Sequence, residues 1–369
     1  MPGLYVHIPF CAAKCNYCDF LSFDGRESSA AEYLLALTAE LESYRTHYAG
    51  AITETVFFGG GTPTLLPAEQ LAVLMRTILR VFAVTPDAEI TIEANPETVD
   101  YDKLKALCAA GFNRVSFGVQ SFDDAHLRRL GRIHSADTAE RAVINARQAG
   151  FSNISLDLMF GLPGQSLAEW GATLDRAVSL APEHLSCYSL ILEPNTPLHR
   201  AKPVDLPSEQ TDRAMYAMAR GVLAEAGYEQ YEISNFAKPG FASRHNSMYW
   251  TGGDYIGAGL GAHSLLEKRR LCNTDNLAQY MNREYGREVL ETLSDADLHA
   301  EFMILGLRMT KGVSAAEFQK RFGRQLDRVY GAELASLAAE GLLIREGDSL
   351  YLTARGVDIS NRVFARFLP

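Results

Sequence analysis

Along the first two-thirds of the chain, short apolar runs of strand character alternate with longer stretches whose apolar positions recur at helical spacing. The strands fall at 4–8, 55–58, 89–93, 114–119, 154–159 and 184–191, and the helices near 29–47, 67–82, 100–110, 137–149, 167–180 and 208–226. Each helix is long enough to carry the chain back across a sheet, so the alternation predicts an α/β fold of six βα units with parallel strands. From about residue 291 the pattern changes. Helices at 296–309, 314–322 and 326–340 precede an apolar hairpin at 342–352 that turns on Gly347 and Asp348, which reads as a small, mainly helical, winged-helix-like domain.

Periodicity leaves a doubly wound sheet and an open barrel equally possible; the polar positions decide. They cluster after strands one to five, where the loops of a partial (β/α)6 barrel converge on one mouth. Phe58-Gly59-Gly60-Gly61-Thr62 follows strand two, and its glycines offer backbone groups to a ligand without side-chain obstruction. Glu93 ends strand three, Gln120 strand four, and Asp157 lies near the end of strand five. These three side chains accept hydrogen bonds from an ammonium group or from hydroxyls, and Arg132 offers a fork to a carboxylate. One such residue alone is more often a cap or a surface group; repetition after successive strands favours a site.

The strongest chemical signal is Cys11, Cys15 and Cys18 in the run His7-Ile8-Pro9-Phe10-Cys11-Ala12-Ala13-Lys14-Cys15-Asn16-Tyr17-Cys18. Three thiolates in one loop can hold a single metal centre, and three ligands leave one iron of a 4Fe-4S cluster open. Structural zinc needs a fourth ligand, and no second pair follows at suitable spacing. A disulfide framework is disfavoured by six cysteines in 369 residues and by the lack of a signal-peptide pattern. Cys108, Cys187 and Cys272 stand alone and read as packing residues. A chain with 47% hydrophobic and 22% charged residues buries a large core, and no apolar run approaches the roughly 20 residues that span a bilayer. This reads as a cytoplasmic protein. The net charge of -10 argues against a general nucleic-acid binder. For the same reason, and because Leu326, Val329, Tyr330, Leu334 and Leu337 place apolar groups at helical spacing, the C-terminal domain reads as a docking domain rather than a DNA reader.

YVHIPFC with its three-cysteine loop, GGGTPT, IEANPE, SFGVQSF and DLMFGLPGQ together resemble the radical S-adenosylmethionine core of the oxygen-independent coproporphyrinogen oxidase family, and most closely its heme-chaperone branch. The resemblance implies a 4Fe-4S cluster on Cys11, Cys15 and Cys18. It implies a first S-adenosylmethionine site at Tyr5, Gly60 and Glu93. Tyr17, Gly61, Thr62, Gln120, Arg132 and Asp157 match positions that contact a second S-adenosylmethionine in the oxidase. Two departures separate this chain from the oxidase: Phe20 stands where the oxidase has a further cysteine, and the motif begins by residue 5, leaving no room for the oxidase's N-terminal extension.

Arg244-His245-Asn246-Ser247-Met248-Tyr249-Trp250 matches an HNxxYW motif that resembles the heme-binding signature of the chaperone branch. An imidazole suits heme iron, and Tyr249 and Trp250 offer flat area to a porphyrin, so an open, aromatic site is expected around His245. His263 is a weaker second candidate. The resulting organisation is a barrel domain over 1–235, a connecting segment over 236–290 and the C-terminal domain over 291–369. The expected function is binding heme and passing it to an apo-protein acceptor. The alternative is radical decarboxylation of coproporphyrinogen III to protoporphyrinogen IX. The resemblance also leaves room for a homodimer and for peripheral membrane contact through the acceptor.

Overall fold

The computed structural model describes residues 2–48 and 50–369. Six parallel strands follow one another in chain order as neighbours: β1 (Gly3–Ile8), β2 (Ile52–Gly60), β3 (Ala83–Ala94), β4 (Arg114–Gln120), β5 (Asn153–Phe160) and β6 (His184–Ser189). The register sets Leu4 opposite Val56 and Val56 opposite Ile90, and, two residues further along β3, Ile92 opposite Val115 and Val115 opposite Ile154, so two apolar rows offset on β3 cross the sheet. Six helices return between or after the strands: α1 (Ala30–Ser43), α2 (Ala68–Val81), α3 (Tyr101–Ala109), α5 (Ala136–Ala149), α6 (Leu167–Ser179) and α7 (Glu209–Glu225), with a short α4 (Asp124–Arg129) inserted after β4. In α2 the buried side chains Leu71, Leu74, Met75, Ile78 and Val81 repeat every three or four positions, which turns one stripe onto the sheet. α6 begins on a capping box of Ser166 and Glu169.

The sheet does not stop at six strands. Beyond β6 lie β8 (Asn235–Ala237) and then β7 (Glu229–Gln230), both antiparallel. On the other edge, β9 (Tyr255–Ala258) pairs parallel with β1, and β10 (His263–Leu266), β11 (Arg269–Cys272) and β12 (Glu288–Thr292) continue outward antiparallel. The segment expected to connect two domains therefore supplies sheet edge. A buried carboxylate secures the joint: Glu40 on α1 accepts from the backbone of Gly259 at 2.8 Å and from Asn273 at 2.6 Å, with the hydroxyls of Tyr44 and Tyr280 completing its shell.

α8 (Arg244–Trp250) lies between β8 and β9 in the chain. It is followed, after the last sheet strand, by α9 (Asp295–Gly306), α10 (Ala315–Phe322) and α11 (Leu326–Ala339). A hairpin of Leu343–Glu346 and Ser349–Leu352 is joined by a short strand, Val313–Ser314. Met303, Phe318, Leu337, Leu350, Val363 and Phe367 form a separate core for this C-terminal part. It rests on the barrel through Arg308, whose guanidinium lies 4.3 Å from the Trp250 ring and 3.5 Å from Glu232, and through Arg321, which donates to the carbonyls of Thr251 and Gly252. Among the described residues, no helix is long and apolar enough to cross a membrane.

Candidate functional site

Parallel strands all end at the same side of a sheet, and here those ends share one cavity of about 590 Å³. Its walls come from the loop after β1, from Gly60 on β2, Glu93 on β3, Gln120 on β4, Asp157 on β5 and Ser189 on β6. Groups from the first and the last parallel strand can face one space only if the sheet curls, so the partial barrel is the observed form.

The cysteine loop sits on the rim. Asn16 ties it to the β4–α5 connection, donating from its backbone to Leu130 O at 2.9 Å and from its side chain to Arg129 O at 3.0 Å. Lys14 folds back onto Ser22, at 2.8 Å to the hydroxyl. Cys11, Cys15 and Cys18 are free thiols and all three line the cavity. One polar relay joins Cys15 to Cys11. Arg132 approaches Cys15 Sγ at 3.4 Å and donates to Asn95 Oδ1 at 2.7 Å; Asn95 in turn donates to Thr62 Oγ1 at 3.1 Å, and Thr62 lies 3.7 Å from Cys11 Sγ. Burial pushes the Cys11 and Cys18 thiols up, so a bound cation is what this loop needs to carry thiolates.

The glycine loop is shaped by close approach. Gly60 has φ of +111°, and a Cβ there would come within 2.4 Å of the His7 ring; a Cβ on Gly61 would meet Phe10 O at 2.6 Å. Gly61 and Thr62 donate to Ile8 O and Phe10 O at 2.8 and 2.7 Å, which locks the second loop against the first. Glu93 Oε2 accepts from the backbone of Gly60 at 3.1 Å. Burial, reinforced by the charge of Asp157, holds its carboxyl up at about 7. Asp157 is also raised by burial, against the hydroxyls of Ser186 and Ser116 and the charges of Arg114 and Arg132. Gln120 adopts a left-handed φ of 65° at an irregularity between β4 and β5. Its Oε1 and the Nε of Arg132 are buried without a partner, and such atoms call for a polar ligand.

Tyr17, Gly61 and Thr62 also line the cavity, so the mouth gathers the expected residues with two exceptions. Tyr5 lies a layer lower, bonded through its hydroxyl to His7 Nδ1 at 3.0 Å and stacked on Phe57. His245 lies at the other end of the barrel. Its neighbours are Thr55, in the amino-terminal half of β2, and Glu89, the β3 residue that pairs with Thr55, and a Cβ on Gly3 would strike Met248 of the same helix. The site expected there to be open is closed: His245 is 1% exposed, with Nδ1 2.9 Å from Thr55 Oγ1 and Nε2 2.9 Å from Tyr249 Oη. Burial depresses its pKa to about 3. The reason is the seat of α8, whose first amides, Arg244 and His245, donate to Glu89 at 2.9 and 3.0 Å and draw the helix under the strands. Asn95, Ser116 and Ser189 line the mouth and were not singled out from sequence; Asn95, two residues past Glu93 in the same strand-end motif, carried a usable signal.

Residues 5–177 match the Radical SAM superfamily and residues 293–359 match the HemN C-terminal domain. Over the whole chain and 99% of its relative, the sequence is 41% identical to the heme chaperone HemW of Bacillus subtilis. It is 38% identical to the heme chaperone HemW of Escherichia coli, covering 99% of this chain and 98% of that one. Among solved structures, coproporphyrinogen III oxidase (HemN) of Escherichia coli, a radical SAM enzyme, superposes with a TM-score of 0.88 at 28% identity, covering 99% of this chain and 90% of that one.

Proposed function

The chain belongs to the HemW family of the radical SAM superfamily, and from that premise we propose that it is a heme chaperone, which takes up heme and delivers it to an apo-protein acceptor. Cys11, Cys15 and Cys18 would hold a 4Fe-4S cluster. Glu93, Gly60, Gln120 and Asp157 would receive the amino group and hydroxyls of S-adenosylmethionine, and Arg132 a carboxylate; the unpartnered Gln120 Oε1 and Arg132 Nε fit such a guest. When bound, the cluster supplies one-electron reducing power at an iron with an open coordination position. The protein's own part is to hold three thiolates in one loop, to keep a neutral or ionised Glu93 against the Gly60 amide, and to screen the floor of the cavity from water with Tyr5 and Phe57.

The observation that carries the chaperone reading over the oxidase reading is Phe20. It stands on the cavity wall, 70% exposed, where the oxidase pattern has a thiol. An apolar ring on that rim suits contact with a flat cargo or an acceptor surface and has no acid-base use. His245 enters heme chemistry only if α8 leaves its seat, so the chaperone reading does not depend on it as a resting ligand. The test is an anaerobic assay of the reconstituted protein for heme uptake and for handover to an apo-hemoprotein, beside coproporphyrinogen III decarboxylation in the same samples. Uptake and handover without decarboxylation support the proposal; protoporphyrinogen formed without stable uptake overturns it.

A further inference from the structure

The first turns of α4 and α6 bring three metal-ligating side chains together: Asp123, which caps α4, His126 in its first turn, and Glu169 in the first turn of α6. One donor atom from each lies within 4.8 Å of the other two. Asp123 and His126 are three residues apart, so one helix face carries both. Glu169 reaches them because β4 and β5, which lead into the two helices, are neighbours in the sheet. None of the three lines the radical SAM cavity.

Carboxylates at helix starts have an ordinary use, and both have it here. Asp123 Oδ1 accepts from the backbone of Ala125 and His126 at 2.7 and 3.2 Å, and Glu169 Oε2 from the backbone and hydroxyl of Ser166 at 2.7 and 2.8 Å. Capping engages one oxygen of each group and leaves the other for a second partner. It does not account for His126. That residue is 8% exposed, and its Nε2 is buried with no hydrogen-bond partner among the described residues. The Glu169 carboxylate stands 3.7 Å from it, beyond hydrogen-bond reach. A buried nitrogen that faces a carboxylate without bonding to it is a cost that an ion between them removes. Donors about 2.0–2.2 Å from a tetrahedral metal lie about 3.4 Å from one another, so this pair is already near that spacing.

We propose that Asp123, His126 and Glu169 form a site for a divalent transition-metal ion, with His126 Nε2 and one oxygen from each carboxylate as ligands and water completing the shell. One imidazole and two carboxylates, with no thiolate, suit zinc or manganese and set this site apart from the three-cysteine loop. The imidazole is fixed by burial, whereas the Glu169 side chain, 45% exposed, is free to close the remaining gap. The ion ties α4 to α6. At the far end of α4 the carbonyls of Arg129 and Leu130 accept from Asn16 of the cysteine loop, and Arg132, just beyond, approaches Cys15 Sγ. A brace at the start of α4 therefore steadies the arm on which the cysteine loop is anchored. The site needs neither heme nor S-adenosylmethionine, so it stands apart from the heme-chaperone reading.

The test is an anaerobic calorimetric titration of the full-length, cluster-reconstituted protein with Zn²⁺, beside a Co²⁺ titration followed by absorbance, for wild type, His126→Ala and Glu169→Gln. Wild type is expected to bind one zinc with a Kd below about 100 μM. Cobalt at the same site is expected to show ligand-field bands without the charge-transfer band of a thiolate ligand, which separates it from the cysteines. Each variant is expected to lose at least about tenfold in affinity. Glu169→Gln keeps an oxygen for the Ser166 cap, so it carries the comparison if His126→Ala, buried as it is, alters the far-ultraviolet dichroism. Zinc is also expected to slow hydrogen exchange across 124–130 in wild type and not in the variants. Weaker binding by wild type, an adventitious ion only, overturns the proposal, as do a thiolate band on the bound cobalt and wild-type affinity in a correctly folded variant. Any of these leaves the cluster and heme assignments untouched.

Discussion

Replacing Glu89 by alanine tests whether the floor of the barrel is held by one carboxylate. That carboxylate accepts from the Arg244 and His245 amides at 2.9 and 3.0 Å and lies 3.4 Å from the Ser243 hydroxyl. A hydrogen bond to a charged partner contributes about 1.5–3 kcal/mol, so the two amides together lose about 3–6 kcal/mol. Water entering through the neighbouring cavity lined by Thr55 and Arg244 recovers part of this, leaving about 3 kcal/mol, or about a hundredfold in the local opening equilibrium. Native-state hydrogen exchange across 244–250 reads that equilibrium directly, without requiring the whole chain to unfold in one step. The variant is expected to exchange about a hundredfold faster there, while the 153–160 strand keeps its protection. A change of less than about threefold at 244–250 refutes the argument that Glu89 seats the helix and closes the His245 pocket.

Gly60→Ala places a methyl against the His7 ring in a left-handed conformation, and is expected to abolish S-adenosylmethionine binding by equilibrium dialysis; retained affinity counts against the close approach. Glu93, raised from 4.5 to about 7, binds its proton more tightly folded than unfolded. Its contribution to stability is therefore full below about pH 4.5 and is lost as pH rises through about 7. Glu93→Gln should thus gain up to about 3 kcal/mol on wild type by pH 8, seen as a widening gap in thermal midpoint between pH 5 and 8; a constant gap refutes the assignment. Serine at Cys11, Cys15 or Cys18 is expected to abolish the visible absorbance of an iron-sulfur cluster after anaerobic reconstitution with little change in far-ultraviolet dichroism, and full absorbance in any of the three counts against that residue.

The parallel strands were legible because each is a short, nearly continuous apolar run between helices of clear period, as in Ile154 to Phe160 before α6. The edge strands were not. Tyr255–Ala258 contains a glycine and lies beside Gly259 and Gly261, so it reads as a loop; only pairing with β1, far back in the chain, makes it a strand. The mouth was legible for a related reason: Glu93, Gln120 and Asp157 stand at strand ends, and strand direction alone brings them together. The closure around His245 was not legible because a motif records side-chain types and not what packs over them. What sends it to the floor is Glu89, an acidic residue that in sequence looks like an ordinary start to a strand.

The pairing of Gly3 with Tyr255 also imposes an order of events on the newborn chain. The strand that leads into the cysteine loop leaves the ribosome first, yet its outer neighbour is synthesised some 250 residues later. At about 5–20 residues per second this interval is roughly 10–50 s. Throughout it, β1 has a backbone edge with no partner, and the contacts of Gly259 and Gly261 with His7 and Leu21 cannot form. The strand that leads into the thiol loop is consequently the last of the six parallel strands to gain both of its neighbours, and the anchorage of that loop is complete only once residues 255–261 are in place.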